Sequence, residues 1–169
     1  MPDLPAINAS IRLLLERCPQ LQFRWEQERS DRMDIDTGSP SPYAQAAALA
    51  AVVVATYKSN AGECLPGLFA QLEVLLTTEG QADRELLVVG FIEDLQGEIG
   101  RAGLDGADFY KMLGPESRAA WDDLAKMWAE VQRKKTASEL PGPFDSIEVP
   151  EVSDPKLRKM VRNVFRPTQ

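Results

Sequence analysis

The chain of 169 residues contains no histidine. Histidine is the commonest general base near neutral pH and the commonest transition-metal ligand, so its absence excludes triad hydrolysis of the usual kind. The two cysteines, Cys18 and Cys64, form no CxxC pair, and the sequence therefore predicts no structural zinc site. We expect both to be reduced, buried thiols of a cytosolic chain, since they could pair only if the fold brought them together.

Long apolar runs are also missing. The longest, residues 46–55, is short of the roughly 20 residues that a membrane span needs, and it predicts a buried helix. The opening Met1-Pro2-Asp3 carries no basic region followed by an apolar stretch, so we expect no cleaved signal and a cytoplasmic localisation. Nucleotide binding has no support either, because no glycine-rich loop is followed by Lys-Ser or Lys-Thr.

The net charge of −7 is unevenly distributed. Residues 154–169 hold five basic residues and one acidic residue, a net charge of +4, which leaves −11 on residues 1–153. An acidic body repels nucleic acid and attracts basic proteins, so we expect a protein partner with a basic surface and no nucleic acid. An equally good interpretation is that the acidity serves only solubility.

Apolar residues recur at helical spacing through most of the chain, a pattern typical of an all-α protein. We predict an antiparallel bundle of about six or seven helices in residues 1–135, which could be arranged as stacked helical hairpins. The first helix is expected to begin near Asp3 and end at Pro19, and residues 20–41 are either a frayed helix or an ordered loop. Ser41-Pro42 then predicts the start of a central helix that is apolar nearly all round.

In the second half of the chain, glycine and proline residues predict where helices begin and end. A helix from about Asp83 is expected to unwind where four glycines follow one another, because each can cost ~1 kcal/mol in a helix interior. These glycines are Gly97, Gly100, Gly103 and Gly106. A short helix at 108–113 and a long one starting at Gly114-Pro115 follow. The long helix places five residues at core spacing, and we expect its tryptophan pair in the core rather than in a ligand-stacking platform. The five are Trp121, Leu124, Ala125, Trp128 and Val131.

The end of the chain differs from the rest. Residues 136–153 are proline-rich and extended, with a short strand predicted at 147–149. Residues 154–169 predict a basic amphipathic helix with one apolar stripe. We expect residues 136–169 to form a linker and a helix packed on the chain's own acidic bundle. A membrane surface or another protein is the alternative partner of this helix.

Carboxylates are the one group numerous enough to attempt catalysis or magnesium binding. Glu93 and Asp94 are adjacent, and Glu98 lies one turn from Asp94, so the three could hold a divalent cation or share a proton. Such acids more often cap helices, pair with arginine or face a partner. We therefore predict no catalytic, metal-binding or cofactor-binding residue and assign seven acids to partner binding. They are Glu93, Asp94, Glu98, Asp105, Asp108, Asp122 and Asp123.

Two stretches resemble an uncharacterised family of small acidic helical bacterial proteins: ELLVVGFIEDLQ at residues 85–96 and LGPESRAAWDDLAKMW at residues 113–128. The order of features is similar as well, with CP and WEQE within residues 18–28, an apolar helix ending in Tyr57, and LFAQLEVLL at residues 68–76. The resemblance covers roughly residues 10–130. Members look like immunity proteins, the cytoplasmic antidotes encoded beside secreted toxins, which implies a protein that binds a cognate toxin or effector and occludes its active site.

Two other classes of function stay open. The chain could be a non-enzymatic adaptor or effector chaperone that uses its amphipathic C-terminal helix, or a carboxylate-dependent metal-binding enzyme. The oligomeric state is not indicated by the sequence.

Overall fold

The computed structural model describes residues 6–32, 38–78 and 80–138, and within these ranges the chain is helical with no strand. This confirms the predicted all-α bundle. The elements are α1 (Ala9–Glu16), α2 (Gln22–Ser30), α3 (Pro42–Lys58), α4 (Leu65–Thr78), α5 (Gln81–Glu85), a π-helical segment (Leu86–Ile92), α6 (Glu93–Ala102), α7 (Gly106–Met112) and α8 (Pro115–Ser138), with short 3-10 turns at Pro19–Leu21 and Gly62–Cys64. Because α5, the π segment and α6 are continuous, the described residues form seven separate helical stretches, in agreement with the predicted six or seven.

Contacts divide the chain into two compact units, Met1–Ala129 and Glu130–Gln169. Of the second unit the structure describes the end of α8. The predicted strand at 147–149, the extended linker and the basic helix at 154–169 lie outside the described residues, so their structure and their packing on the bundle stay predictions.

Helix α3 lies at the centre of the first unit. Ser41 caps it by accepting a hydrogen bond from the backbone N–H of Ala44 at 3.1 Å, and Pro42 occupies its first turn, both as predicted. The helix contacts α1, α2, the π segment and α6. Its apolar residues are buried nearly all round because neighbours pack on several of its sides.

Two predictions about the first 41 residues are resolved. Asn8 caps α1 through its side chain, and residues 6–8 are not helical, so the expected helix start near Asp3 is wrong. Part of the ambiguous stretch 20–41 forms α2, whose Trp25 is fully buried and donates its indole N–H to the carbonyl of Gln45 at 3.0 Å. Arg29 of the same helix is also buried, with its guanidinium 4.7 Å from the centre of the Trp25 ring, so these two residues anchor a helix whose other side chains are mostly polar.

Gln45 of α3 joins the segment that precedes α1 to the segment that precedes α3. Its amide oxygen accepts from the backbone N–H of Asn8 at 2.9 Å, and its amide nitrogen donates to the carbonyls of Ala6 and Pro40, each at 3.2 Å. The side chain is only 2% exposed. A buried polar group is tolerated when its hydrogen bonds are satisfied, and here they hold the entries into α1 and α3 together.

The glycine-rich stretch does not unwind as predicted. Helix α6 continues through Gly97 and Gly100 to Ala102, and only Gly103 adopts a left-handed conformation, with φ of +66°, as the residue that ends the helix. Burial of Leu95 and Ile99 outweighs the modest propensity cost of two interior glycines. The expectation that all four glycines break the helix was wrong because the packing of α6 outweighs the low helix propensity of glycine.

The cysteine prediction also needs correction. Cys18, at the end of α1, and Cys64, just before α4, are joined by a disulfide, with Cα atoms 5.2 Å apart. Such a separation lies within the range that a disulfide spans. The pairing arises because α1 packs on α4, a long-range contact that no local pattern reveals.

Helix α8 is buried only in its first half. Ala120 and Leu124 join the core and Trp121 packs partly against it, but Trp128 and Val131 are 42% and 46% exposed. Ala125 is exposed too, so the predicted core stripe is correct for its first two members and wrong for the other three. Among the described helices none is long and apolar enough to cross a membrane.

Candidate protein-binding surface

Two tyrosine–aspartate pairs define a polar surface around α7. Tyr57 of α3 donates its hydroxyl hydrogen to Asp108 at 2.9 Å, and Tyr110 of α7 donates to Asp122 of α8 at 3.1 Å. Asp105 caps α7 by accepting from the backbone N–H of Ala107 at 2.9 Å. We call these five side chains, Tyr57, Asp105, Asp108, Tyr110 and Asp122, the α7 surface.

Three side chains of the α7 surface, Tyr57, Asp108 and Tyr110, have shifted pKa values. Hydrogen bonds from Lys111 and Tyr57 lower the pKa of Asp108, so this carboxylate is firmly ionised. The same bond to Asp108 is the main reason why the pKa of Tyr57 is raised, and the bond to Asp122 likewise raises the pKa of Tyr110. Both tyrosines therefore stay neutral and hold fixed orientations.

An open groove of about 440 Å³ lies beside Tyr57. Its lining comes from the α3–α4 connection and from both ends of α7. It combines apolar side chains with a few polar groups. The lining residues are Tyr57, Lys58, Asn60, Gly62, Glu63, Pro66, Leu104 and Met112. The α7 surface is thus bordered by a concavity into which a partner's side chain could project.

The remaining predicted acids lie elsewhere. On α6, Glu98 pairs with Arg101 at 2.7 Å, and Asp94 is half-buried near Arg32, Arg101 and Glu98. Burial raises the pKa of Asp94, and the two arginines only partly offset this effect. Glu93 is half-buried on the same helix. We call Glu93, Asp94 and Glu98 the α6 acids.

Of the seven predicted acids the structure thus brings three together on the α7 surface and three on α6. The seventh, Asp123, is exposed on α8 and pairs with Lys126 at 3.5 Å. Across the part of the chain that the structure describes, no group of three or more Cys, Asp or Glu residues is placed to hold a metal ion. Most of these acids instead cap a helix or bind a neighbouring side chain.

Sequence reasoning missed Glu73. From α4 its carboxylate accepts hydrogen bonds at the start of α8, from the backbone N–H groups of Glu116 at 2.8 Å and Ser117 at 3.0 Å and from the Ser117 hydroxyl at 2.8 Å. The residue before Pro115 is Gly114, which has no side chain to cap the helix. A glycine at a cap position and a single acid in an otherwise apolar helix were the available signals.

Comparison with known families matches residues 11–129 to the one described as Domain of unknown function (DUF7674). The chain belongs to this family. The DUF7674 domain begins in α1 and ends at Ala129, where the first compact unit also ends. This confirms that the chain resembles an uncharacterised family over roughly residues 10–130 and that the tail lies outside it. Comparisons with curated proteins and with solved structures gave no match.

All seven predicted acids lie inside the DUF7674 domain, as does the contact of Glu73 with α8. The domain holds 11 basic and 19 acidic residues, a net charge of −8. The basic residues of the tail are therefore an addition to an acidic family domain.

Proposed function

We propose that this protein is an immunity protein, which binds a basic surface on a cognate bacterial toxin or effector and occludes its active site without performing chemistry itself. The observation that carries the proposal is the α7 surface, which combines three acids with two hydrogen-bonded tyrosines and has a groove beside Tyr57.

Tyrosine and aspartate suit such a role for different reasons. A tyrosine gives a large contact area with few rotatable bonds, and the hydrogen bonds of Tyr57 and Tyr110 fix their rings before a partner arrives. Asp105 and Asp122 are exposed, so they can meet lysine or arginine side chains of a partner. A partner's basic residue would thus find its counter-charges already in place.

The charge of the whole domain supports the same kind of partner. A domain of net charge −8 attracts a basic protein over a distance of about one Debye length and repels acidic ones. Association should be fast at low ionic strength and slower in high salt.

The choice of a toxin as the partner rests on the resemblance of residues 85–96 and 113–128 to small acidic proteins that look like immunity proteins. Geometry and charge support a basic protein partner in general. The test must therefore examine the partner and the surface separately.

The partner is tested by expressing the product of the adjacent gene in a susceptible host, with and without this protein. We expect the neighbour to stop growth alone and co-expression to restore growth. A neighbour that is harmless alone, or that stays toxic in the presence of this protein, would remove the proposal.

The surface is tested by neutralising its acids while keeping their shape. The triple variant Asp105→Asn, Asp108→Asn, Asp122→Asn preserves the cap of α7 and the acceptors for both tyrosines, because asparagine caps and accepts as aspartate does. We expect the affinity for the neighbour's product, measured by calorimetry, to fall at least about tenfold.

The matched control is the triple variant Glu93→Gln, Asp94→Asn, Glu98→Gln, which also removes three negative charges, but from α6. We expect it to bind nearly as the natural chain does. Equal losses in both variants would mean that only net charge matters, and loss in the control alone would move the binding site to the α6 acids.

A further inference from the structure

The second half of α8 is exposed on every side. All residues from Ala125 to Ala137 are exposed, although they belong to one helix that runs to Ser138. An isolated helical stretch of this length is marginal in water, because most helical stability in proteins comes from packing of one face. This stretch therefore lacks a covering element among the described residues.

One face of the stretch is apolar. Met127, Trp128 and Val131 are 45%, 42% and 46% exposed, and they continue the line of the buried Leu124 at intervals of three and four residues. Methionine and tryptophan are enriched in the cores of protein interfaces. We call the three exposed residues, Met127, Trp128 and Val131, the α8 stripe.

The charges beside the α8 stripe change sign along the helix. Asp123 lies near its beginning and Lys134 near its end, both exposed. They are 11 residues apart, which is close to three turns, so they lie on the same edge of the stripe. Each has only an exposed pair within the helix, Asp123 with Lys126 at 3.5 Å and Lys134 with Glu130 at 3.1 Å. Such pairs contribute little and can exchange partners.

A helix with this order of charges is complementary to itself in the antiparallel direction. If a two-fold axis passes near Trp128, Asp123 of each copy faces Lys134 of the other, and Trp128 meets the apolar residues of the second stripe. A parallel pairing would leave Asp123 of one copy and Lys134 of the other 11 residues apart along the helices, so the two charges could not meet. The basic segment 154–169 is a poorer occupant, since it would meet the bases at positions 133–135.

We propose that the α8 stripe is a homodimer interface, in which two copies of this chain pair antiparallel through the second half of α8. The pairing is independent of the proposed immunity function. It uses no residue of the α7 surface, although Asp122 of that surface lies on the same helix. A single pair of short helices buries little area, so we expect a weak dimer.

The test is sedimentation equilibrium of the full chain over a range of concentrations. We expect a monomer–dimer equilibrium, and we expect Lys134→Asp to raise the dimer dissociation constant at least about tenfold, because two symmetric Asp–Asp contacts replace two ion pairs. The double variant Asp123→Lys, Lys134→Asp should restore dimerisation. Circular dichroism verifies that each variant keeps its helices.

The matched control is Arg133→Asp, which makes the same charge change one residue earlier, about 100° around the helix and away from the α8 stripe. It should leave the dissociation constant nearly unchanged. Three results would each overturn the proposal: a full chain that stays monomeric at every concentration, equal effects of Lys134→Asp and Arg133→Asp on the dissociation constant, or no restored dimerisation in the double variant. A monomer whose Trp128 is shielded from a fluorescence quencher would assign the stripe to the chain's own tail instead.

Discussion

At the start of α8 the N-cap position is occupied by Gly114, whose carbonyl accepts the first intrahelical bond, from Arg118, at 2.9 Å. A side chain from another helix does the capping instead. Glu73 approaches so closely that a Cβ added to Gly114 would lie 2.5 Å from its Cδ. A larger residue at position 114 would push the Glu73 carboxylate away from the start of α8, so Gly114 and the cap by Glu73 depend on each other although they are far apart in sequence.

We expect Glu73→Ala to lower the free energy of unfolding by about 1–2 kcal/mol, the usual cost of losing a helix cap, because N–H groups at the start of α8 lose their acceptor. Chemical denaturation monitored by circular dichroism gives the value. Glu85→Ala, which removes an exposed glutamate from α5, is the control and should change stability by less than about 0.5 kcal/mol. Equal effects of the two substitutions would refute the capping role.

The same carboxylate makes stability depend on pH in the acid range. Burial alone would raise the pKa of Glu73, but hydrogen bonds from Glu116 and Ser117 outweigh it and lower the pKa below its ordinary value of 4.5. A lowered folded-state pKa adds stability above the unfolded value, and this stability is lost as the pH falls through the folded value. The stability difference between the natural chain and Glu73→Gln should therefore be constant above about pH 6 and shrink below 4.5. A difference that grows in acid would contradict this assignment.

At the scale of the helices, the π segment shows how a close contact limits the residue types allowed. At Gly90 an added Cβ would lie 3.1 Å from Leu86 Cδ1 and from Tyr43 Cδ1 and 3.2 Å from Ala46 Cβ. Three neighbours cannot all yield easily in a packed interior. Gly100 of α6 has no such neighbour within 4 Å, so it provides a matched position.

We expect Gly90→Val to lower the free energy of unfolding by about 1–3 kcal/mol through overpacking between α3 and the π segment. Gly100→Val should stay within about 0.5 kcal/mol of the natural chain, because valine and glycine differ little in helix propensity and the site is exposed. Thermal unfolding of both variants, compared under identical conditions, checks the pair. A Gly90→Val variant as stable as Gly100→Val would show that the helices can move apart without cost.

These elements also show which parts of the structure could be predicted. Helix positions followed from apolar spacing and from local signals such as Ser41-Pro42, since both depend on neighbouring residues. The failures have a common cause. The capping of α8 by Glu73 and the exposure of Trp128 depend on what a helix meets in space, which periodicity does not specify. Of the candidate site, the residue types were predictable, but their division into the α7 surface and the α6 acids required the fold.

At the scale of the whole molecule, the disulfide between Cys18 and Cys64 links the beginning of the bundle to α4 across a sequence separation of 46. Closing a loop of this length removes conformations from the unfolded chain, an effect of about 4 kcal/mol in the chain-entropy estimate. Disulfides persist in oxidising compartments and are rare in the cytosol. The cytoplasmic localisation stays a prediction, and a form of the chain kept reduced in the cytosol would be less stable than the oxidised one.

We expect reduction to lower the stability of the natural chain by up to about 4 kcal/mol without changing its helical content, because the hydrophobic core stays in place. Thermal unfolding with and without dithiothreitol measures the change, and the intact mass under non-reducing conditions shows the loss of two hydrogens that the bond requires. Cys64→Ser is the control: its unfolding should resemble that of the reduced natural chain and should not respond to dithiothreitol. A natural chain that unfolds at the same temperature with and without reductant would contradict the disulfide and would mean that Cys18 and Cys64 are reduced thiols, as the sequence alone had predicted.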